Sequence, residues 1–230
     1  MYTVKKAKDI LLVFGFLLAF VGLIITSPIM LVVAICIKLE DGGPVFFKQT
    51  RLTENGREFQ ILKFRSMIVD AEKDGISRLA STNDSRITKI GKIIRACRVD
   101  ELPQLINILI GNMSIVGPRP ERPEIAREYE KSLPGFSLRL QVKAGLTGVA
   151  QIYGRYNTVP YTKLQMDLMY ITRMDFLYDF RLIVATVKVL FMKESTQGVN
   201  EGQTTAMATE TSFTSAKDAS KTVVKTGRNK

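Results

Sequence analysis

Two adjacent carboxylates, Asp100 and Glu101, stand among arginines: Arg95 and Arg98 lie just upstream, and Arg119 follows a short way downstream. Gly117-Pro118-Arg119-Pro120 holds that last arginine in a stiff segment, because each proline fixes its φ. Carboxylates among fixed cations suit phosphate chemistry. The cations offset the charge of a phosphorylated substrate while a carboxylate attacks phosphorus or binds Mg²⁺. A structural ion-pair cluster has the same composition, so charge alone does not separate the two. Leu102, Leu105, Ile106 and Leu109 fall at i, i+3, i+4 and i+7, the apolar stripe of a short helix. Pro103 is tolerated only in a first turn and Gly111 supplies a stop, so the helix is expected to begin near Asp100, with that residue as its N-cap. Unpaired N–H groups and the positive end of the helix dipole would then keep both carboxylates ionised.

The chain of 230 residues contains no histidine, which excludes histidine bases and histidine metal ligands. Its two cysteines, Cys36 and Cys97, are too far apart to suggest a metal site and read as reduced thiols. Cys97 lies beside the acidic pair with no histidine to activate it, and reads as a packing residue. A net charge of +11 and a pI near 9.7 call for an anionic partner: nucleic acid, acidic lipid headgroups or a phosphorylated substrate. No nucleic-acid motif occurs, Trp is absent, and aromatics do not interleave with the basic clusters, so no nucleic acid is expected.

The elements that must position these residues begin with Ile10–Ile37, which carries no charge. As one straight helix it would span roughly 42 Å, against a hydrocarbon core of about 30 Å. Ser27-Pro28 interrupts it, and proline removes an intrahelical bond. Lys5, Lys6 and Lys8 precede it, and Lys38, Lys48 and Arg51 follow. A full crossing would strand one basic flank outside, so a helix–break–helix that dips into the bilayer and returns is favoured. Gly43–Leu52 and Glu58–Met67 flank Glu54-Asn55-Gly56-Arg57, a strong hairpin signal. Alternation in the second strand puts Lys63 and Arg65 on one face, which on its own could be a solvated basic edge.

Arg86, Lys89, Lys92, Arg95 and Arg98 recur every third residue, a basic arc suited to solvent or anionic headgroups. Pro123–Leu140 reads as an amphipathic helix ending at Leu133-Pro134-Gly135. Lys143–Gly148 is glycine-punctuated, which suits backbone N–H groups approaching a nucleotide. Tyr161–Tyr170 and Phe176–Met192 read as helices, the second with an apolar stripe that fits either a core or a membrane interface. Beyond Ser195 the composition turns to Thr, Ser, Ala and Lys, as in a disordered tail. The expected layout is an anchor over 1–40, a catalytic domain over 41–194 and a tail over 195–230. The fold class is α+β: an N-terminal re-entrant membrane helix-break-helix, a β-hairpin and a small helical catalytic domain at the membrane surface.

Three blocks carry a family resemblance: DELPQLINILIGNMSIVGPRPERPE from Asp100, KFRSM at Lys63–Met67 and GLTGVAQIYGR at Gly145–Arg155. Together they resemble the bacterial monotopic phosphoglycosyl transferases, the sugar transferase family that initiates polysaccharides and glycans. The likeness runs from about Leu11 to Lys193. Val99 and Ala144 depart from it, standing where members commonly carry leucine and proline. The resemblance implies transfer of a sugar-1-phosphate from a UDP-sugar to polyprenyl phosphate, with release of UMP. It implies Asp100 as nucleophile on the β-phosphorus and Glu101 as a ligand of Mg²⁺, with Asp179 supporting the metal and Asp167 a weaker candidate of that kind. Lys63, Arg95, Arg119 and Arg155 would bind substrate phosphates. A monotopic anchor kinked at a Ser-Pro pair, on the cytoplasmic face of the bacterial plasma membrane, is also implied. Two other classes compete with this reading: a membrane-anchored basic module that gathers acidic lipid or nucleic acid, and a phosphohydrolase using the same aspartate with water as acceptor. The sugar and the oligomeric state are not legible in the sequence.

Overall fold

The uncharged run folds into a single long helix, α1 (Tyr2–Asp41), long and apolar enough to cross a membrane. The computed structural model describes residues 2–71, 84–154 and 159–190; Arg155, most of Asp70–Ser85 and the tail from 195 lie outside them. Helix continues through Ser27-Pro28, so the expected break into two helices is not what the structure shows. The reason is local. Pro28 has no N–H to give the Ile24 carbonyl, and the Ser27 hydroxyl donates to that carbonyl instead, at 2.8 Å. Thr26 Oγ1 adds a bond to Gly22 O at 2.7 Å.

One stripe of α1 packs against the body of the protein, with which it shares a compact unit. Gly15 meets Ile115, Ala19 is completely buried, and Gly22 meets Leu105. Small residues at this spacing let a helix lie close to its neighbour. Farther along the same stripe, Met30, Val33 and Ile37 pack with Phe64 and Ile94. The other faces expose Val13, Leu17, Ile25 and Leu31.

The hairpin forms as expected. β1 (Phe46–Leu52) and β2 (Glu58–Phe64) pair antiparallel, with Leu52 opposite Glu58 and Phe47 opposite Lys63. Asn55 and Gly56, at φ 59° and 72°, take the left-handed conformation the tight turn requires. Phe59 and Ile61 face the core, and alternation carries Lys63 to that same inner face. Lys63 is therefore not on a solvated edge. Arg65 leaves its company: it is buried and pairs with Asp41 at the end of α1, Nη1 to Oδ2 at 2.8 Å.

Helix α2 (Lys89–Ala96) is capped by Thr88, whose hydroxyl accepts from Gly91 N at 2.9 Å, and by the Glu40 carboxylate of α1, which accepts from Lys89 N at 2.8 Å. Helix α3 (Gln104–Leu109) sends Asn107 to the outer edge of β2. The Asn107 amide accepts from Leu62 N and donates to Gln60 O, both at 2.8 Å, so it serves the hairpin as a neighbouring strand would. Strands β3 (Met113–Val116) and β4 (Ala144–Thr147) pair parallel. Helix α4 (Pro123–Ser132) and a 3₁₀ segment (Phe136–Gln141) lie between them, and α5 (Val149–Ile152), α6 (Pro160–Thr172) and α7 (Phe176–Leu190) follow. Leu182 of α7 is buried while Phe180, Val184 and Val187 are exposed, so that helix has both a core face and an uncovered apolar face.

Candidate active site

Asp100 and Glu101 do not cap α3. They lie in a 3₁₀ turn of their own, Val99–Glu101, and Pro103 occupies the position before α3 with no side-chain cap. The turn is set by Arg98, whose φ of 53° is left-handed. Such a conformation costs an ordinary residue roughly 1–2 kcal/mol and persists where surrounding bonds fix it. Here Arg98 N donates to Arg95 O at 3.1 Å, and Glu101 N donates to Arg98 O at 3.2 Å. The chain thus reverses between α2 and the acidic pair. Side-chain neighbours, rather than a helix end, then decide the state of each carboxylate.

Glu101 is the tied member. Lys63 Nζ donates to its Oε1 at 2.6 Å and Arg119 Nη2 to the same oxygen at 3.0 Å. Burial alone would raise the Glu101 pKa, but the two cations outweigh it and hold the carboxyl well below the usual carboxylate range. Burial pushes the Lys63 ammonium down from its ordinary value, with Glu101 resisting. Asp100 is the free member. Lys63, Arg95 and Arg119 act on it through space, yet among the described residues its carboxylate forms no hydrogen bond or ion pair. Burial pushes the Asp100 pKa up, and neighbouring Glu101 adds to the rise. The surroundings that favour ionisation therefore prevail at Glu101, whereas at Asp100 burial and the Glu101 charge oppose the three cations.

The segment 117–122 that carries Arg119 is fastened through its main chain. Gly117 N donates to Thr147 O at 2.8 Å, and Gly145 N to Pro118 O at 2.9 Å. Arg51 Nη1 reaches Pro120 O at 3.1 Å, and Leu52 N reaches Glu121 O at 2.9 Å. Gly145 is required by this approach, since a Cβ on it would lie 2.1 Å from Gly117 N. Its N–H is spent inside the protein, so Gly145 itself serves packing rather than a nucleotide. Ala144 N donates to the buried Thr53 hydroxyl at 3.1 Å, a bond that proline could not make.

The other expected site residues divide. Arg95, in the last turn of α2, lies near enough for its charge to act on Asp100. Arg155 falls outside the described residues. Asp179 is buried on α7 beside the Tyr170 hydroxyl, where burial raises its pKa to about 7. It lines an apolar cavity with Phe14, Ile115 and Ile183. Among the described residues no three acidic or cysteine side chains gather to hold a metal, so Asp179 does not join Asp100 and Glu101 in one cluster. Asp167 is buried in an ion pair with Arg139, not poised for a metal. Cys97 is exposed, not packed. Asp100 and Glu101 are the carboxylates that could serve a magnesium ion keeping waters and substrate phosphates as its remaining ligands. Sequence reasoning missed Asn107, Glu121 and Arg139. The one signal for Arg139 was a lone charge among Phe136, Leu138, Leu140 and Val142.

A family model described as bacterial sugar transferase matches residues 5–193. Among similar proteins, the UDP-glucose:undecaprenyl-phosphate glucose-1-phosphate transferase of Escherichia coli (strain K12) is 40% identical over 188 residues, which cover 80% of this chain and 39% of the relative. The UDP-N-acetylgalactosamine-undecaprenyl-phosphate N-acetylgalactosaminephosphotransferase of Aeromonas hydrophila is 36% identical over 190 residues, 81% of this chain and 43% of the relative. The exopolysaccharide production protein PSS of Rhizobium leguminosarum bv. phaseoli is 38% identical over 175 residues, 72% of this chain and 87% of its own. This chain therefore spans about two fifths of the length of the first two relatives.

The ion pairs of Glu101 yield a test with a definite sign. Its pKa in the fold lies below its ordinary value of 4.5, so these pairs contribute stability that is whole above that pH and is lost as pH falls toward the folded value. In Lys63→Met one cation is gone and burial weighs more, so the folded pKa rises and less of this stability remains to be lost. Thermal melting in detergent from about pH 7 to pH 3 should show a lower melting temperature at neutral pH and a weaker dependence on acid than in wild type. Identical profiles for wild type, Lys63→Met and Arg119→Gln would contradict the assignment.

Proposed function

Because the chain belongs to the bacterial sugar transferase family, we propose that it transfers a sugar-1-phosphate from a UDP-sugar to polyprenyl phosphate, with undecaprenyl phosphate the acceptor type and UMP the leaving product. The observation that carries this reading is the division of labour in the acidic pair: Glu101 is bound by Lys63 and Arg119, while Asp100 beside it is left without a partner among the described residues.

A carboxylate oxygen of Asp100 attacks the β-phosphorus. A P–O bond to the aspartate forms as the bond from that phosphorus to the bridging oxygen breaks, and UMP departs with the electron pair. An oxygen of the lipid phosphate then attacks the same phosphorus, and the aspartate leaves as a carboxylate. The product is a sugar linked to the polyprenyl carrier by a diphosphate. Splitting the transfer lets one site serve two bulky substrates in turn. Lys63 and Arg119 orient Glu101 and offset phosphate charge, and Arg95 and Arg155 are assigned to the same phosphates. Asp100 and Glu101 would hold Mg²⁺, which when bound adds charge neutralisation at the diphosphate. Pairing Lys63 and Arg119 on one carboxylate also suits an enzyme better than a basic surface that gathers polyanions.

The anchor supports the same reading. From Gly15 to Ile37 one stripe of α1 lies on protein, a length of roughly 33 Å. A perpendicular crossing would drag α3 and β3 into the hydrocarbon. We therefore place α1 within the cytoplasmic leaflet, with both ends on one side and the acidic pair at headgroup level. That position brings Asp100 to the depth at which a polyprenyl phosphate presents its charge.

Two outcomes follow. Purified protein supplied with a panel of UDP-sugars should release UMP only when undecaprenyl phosphate can accept, beyond a first turnover. Asp100→Asn should lose about 10³-fold or more of that rate while melting like wild type; near-normal turnover would remove Asp100 from the chemistry. In a background of Cys36→Ala and Cys97→Ala, cysteines placed by Lys5→Cys and Lys48→Cys should both be labelled from the cytoplasmic side alone. Labelling of the Lys5 position only from outside would show a full crossing.

A further inference from the structure

Arg139 lies in the 3₁₀ segment Phe136–Gln141 with only 3% of its side chain exposed, an expensive place for a guanidinium. Every contact it makes is specific. Its Nε donates to Asp167 Oδ2 of α6 at 2.8 Å, and Nη2 reaches the same oxygen at 2.7 Å. Nη2 also donates to the carbonyl of Arg119 at 3.0 Å, and Nη1 lies 3.6 Å from Glu121 Oε1. The guanidinium sits over the Phe136 ring at 4.9 Å, and Tyr129 meets that ring edge-on. Asp167 is itself almost completely buried.

A buried ion pair is usually no more stabilising than apolar side chains of the same volume. The direction of these bonds gives this one a use. Pro118, Arg119, Pro120 and Glu121 each have their carbonyl bound, by Gly145 N, Arg139, Arg51 and Leu52 N respectively. The bond to Arg119 O is the one made at the residue whose side chain meets Glu101, and its donor is locked by a second charge. We propose that Arg139, held by Asp167, is a positioning residue: it fixes the Arg119 backbone so that the Arg119 guanidinium stays on Glu101 and is aimed at the substrate diphosphate. The inference deepens the reading above and rests on it for what Arg119 meets.

The test uses the full chain in detergent or nanodiscs and two readouts. The first is the split of KM and kcat for UMP release in Arg139→Lys, Arg119→Ala and the double variant. Lysine keeps the charge but loses the fork, so KM for the UDP-sugar should rise between about 10- and 100-fold, the scale expected from a small misplacement of a binding group. In the Arg119→Ala background the same change should add almost nothing, since the two residues act through one path. The second readout is hydrogen–deuterium exchange of the peptide spanning 117–122, which should quicken in Arg139→Lys while the core peptide spanning 104–116 keeps its protection. Independent, multiplying effects on KM, or wild-type exchange at 117–122, would overturn the proposal. Should Arg139→Lys fail to fold, Asp167→Asn keeps the guanidinium, removes its anchor charge and carries the same readouts. Exchange is measured without substrate. A chain that releases no UMP yet shows selective loosening of 117–122 would defeat the proposed activity and leave the positioning role standing.

Discussion

One carboxylate oxygen, Oε1 of Glu101, joins parts of the chain that are distant in sequence: Lys63 arrives from β2 and Arg119 from the loop after β3. Lys63 and Glu101 are largely buried, and removing one partner of such a pair typically costs about 3–5 kcal/mol, while the half-exposed Arg119 adds a contact that solvent screens. Much of the architecture serves that convergence. The Asn107 amide clamps β2 to α3, which fixes Lys63 relative to the acidic turn. Main-chain bonds along 117–121 fix Arg119 from the other side. The left-handed Arg98 sets the turn between them.

The parts legible in the sequence were those with local causes. Asn55-Gly56 specifies a turn whose geometry few other residues permit, and the hairpin formed around it. Leu133-Pro134-Gly135 ends α4 for similar reasons, and the apolar run of α1 announces its length. The convergence of Asp100, Glu101, Lys63 and Arg119 followed from the resemblance, because no periodicity relates a strand residue to a loop arginine. Errors came where tertiary context overrode a local rule. Asp100 has N-cap chemistry, but the strained Arg98 puts it in a separate turn. Ser27-Pro28 carries a helix-breaking residue, but the serine hydroxyl takes the carbonyl that the proline leaves unpaired. Gly145 looked like a donor for a ligand, whereas its N–H goes to Pro118 O and backbone crowding against Gly117 explains the glycine. Arg139 and Asp167 could not be paired in advance: they lie on different helical segments, and no periodicity relates them.

That Asp100 has no bonded partner among the described residues follows from the bound state of its neighbour. With both Lys63 and Arg119 drawn to Glu101, the favourable charge around Asp100 acts at a distance and leaves its oxygens open. A nucleophile needs that openness, and a merely structural aspartate would have closed on one of the cations. On the proposed reading, packing of the apolar α1 along the same body would set the depth of this turn relative to a bilayer. Chemistry and anchoring thus depend on the same packed faces: Gly22 of α1 rests on Leu105 of α3, one turn from the acidic pair.

The central claim is that Asp100 becomes covalently loaded with a phosphorylated sugar. Its most direct test is intact and peptide mass spectrometry of protein mixed with a UDP-sugar, quenched rapidly in acid without lipid acceptor. A sugar-phosphate adduct on the peptide containing Asp100, discharged when undecaprenyl phosphate is added before the quench, is the result expected. Sustained formation of the lipid-linked product from a protein that never carries such an adduct would contradict the account.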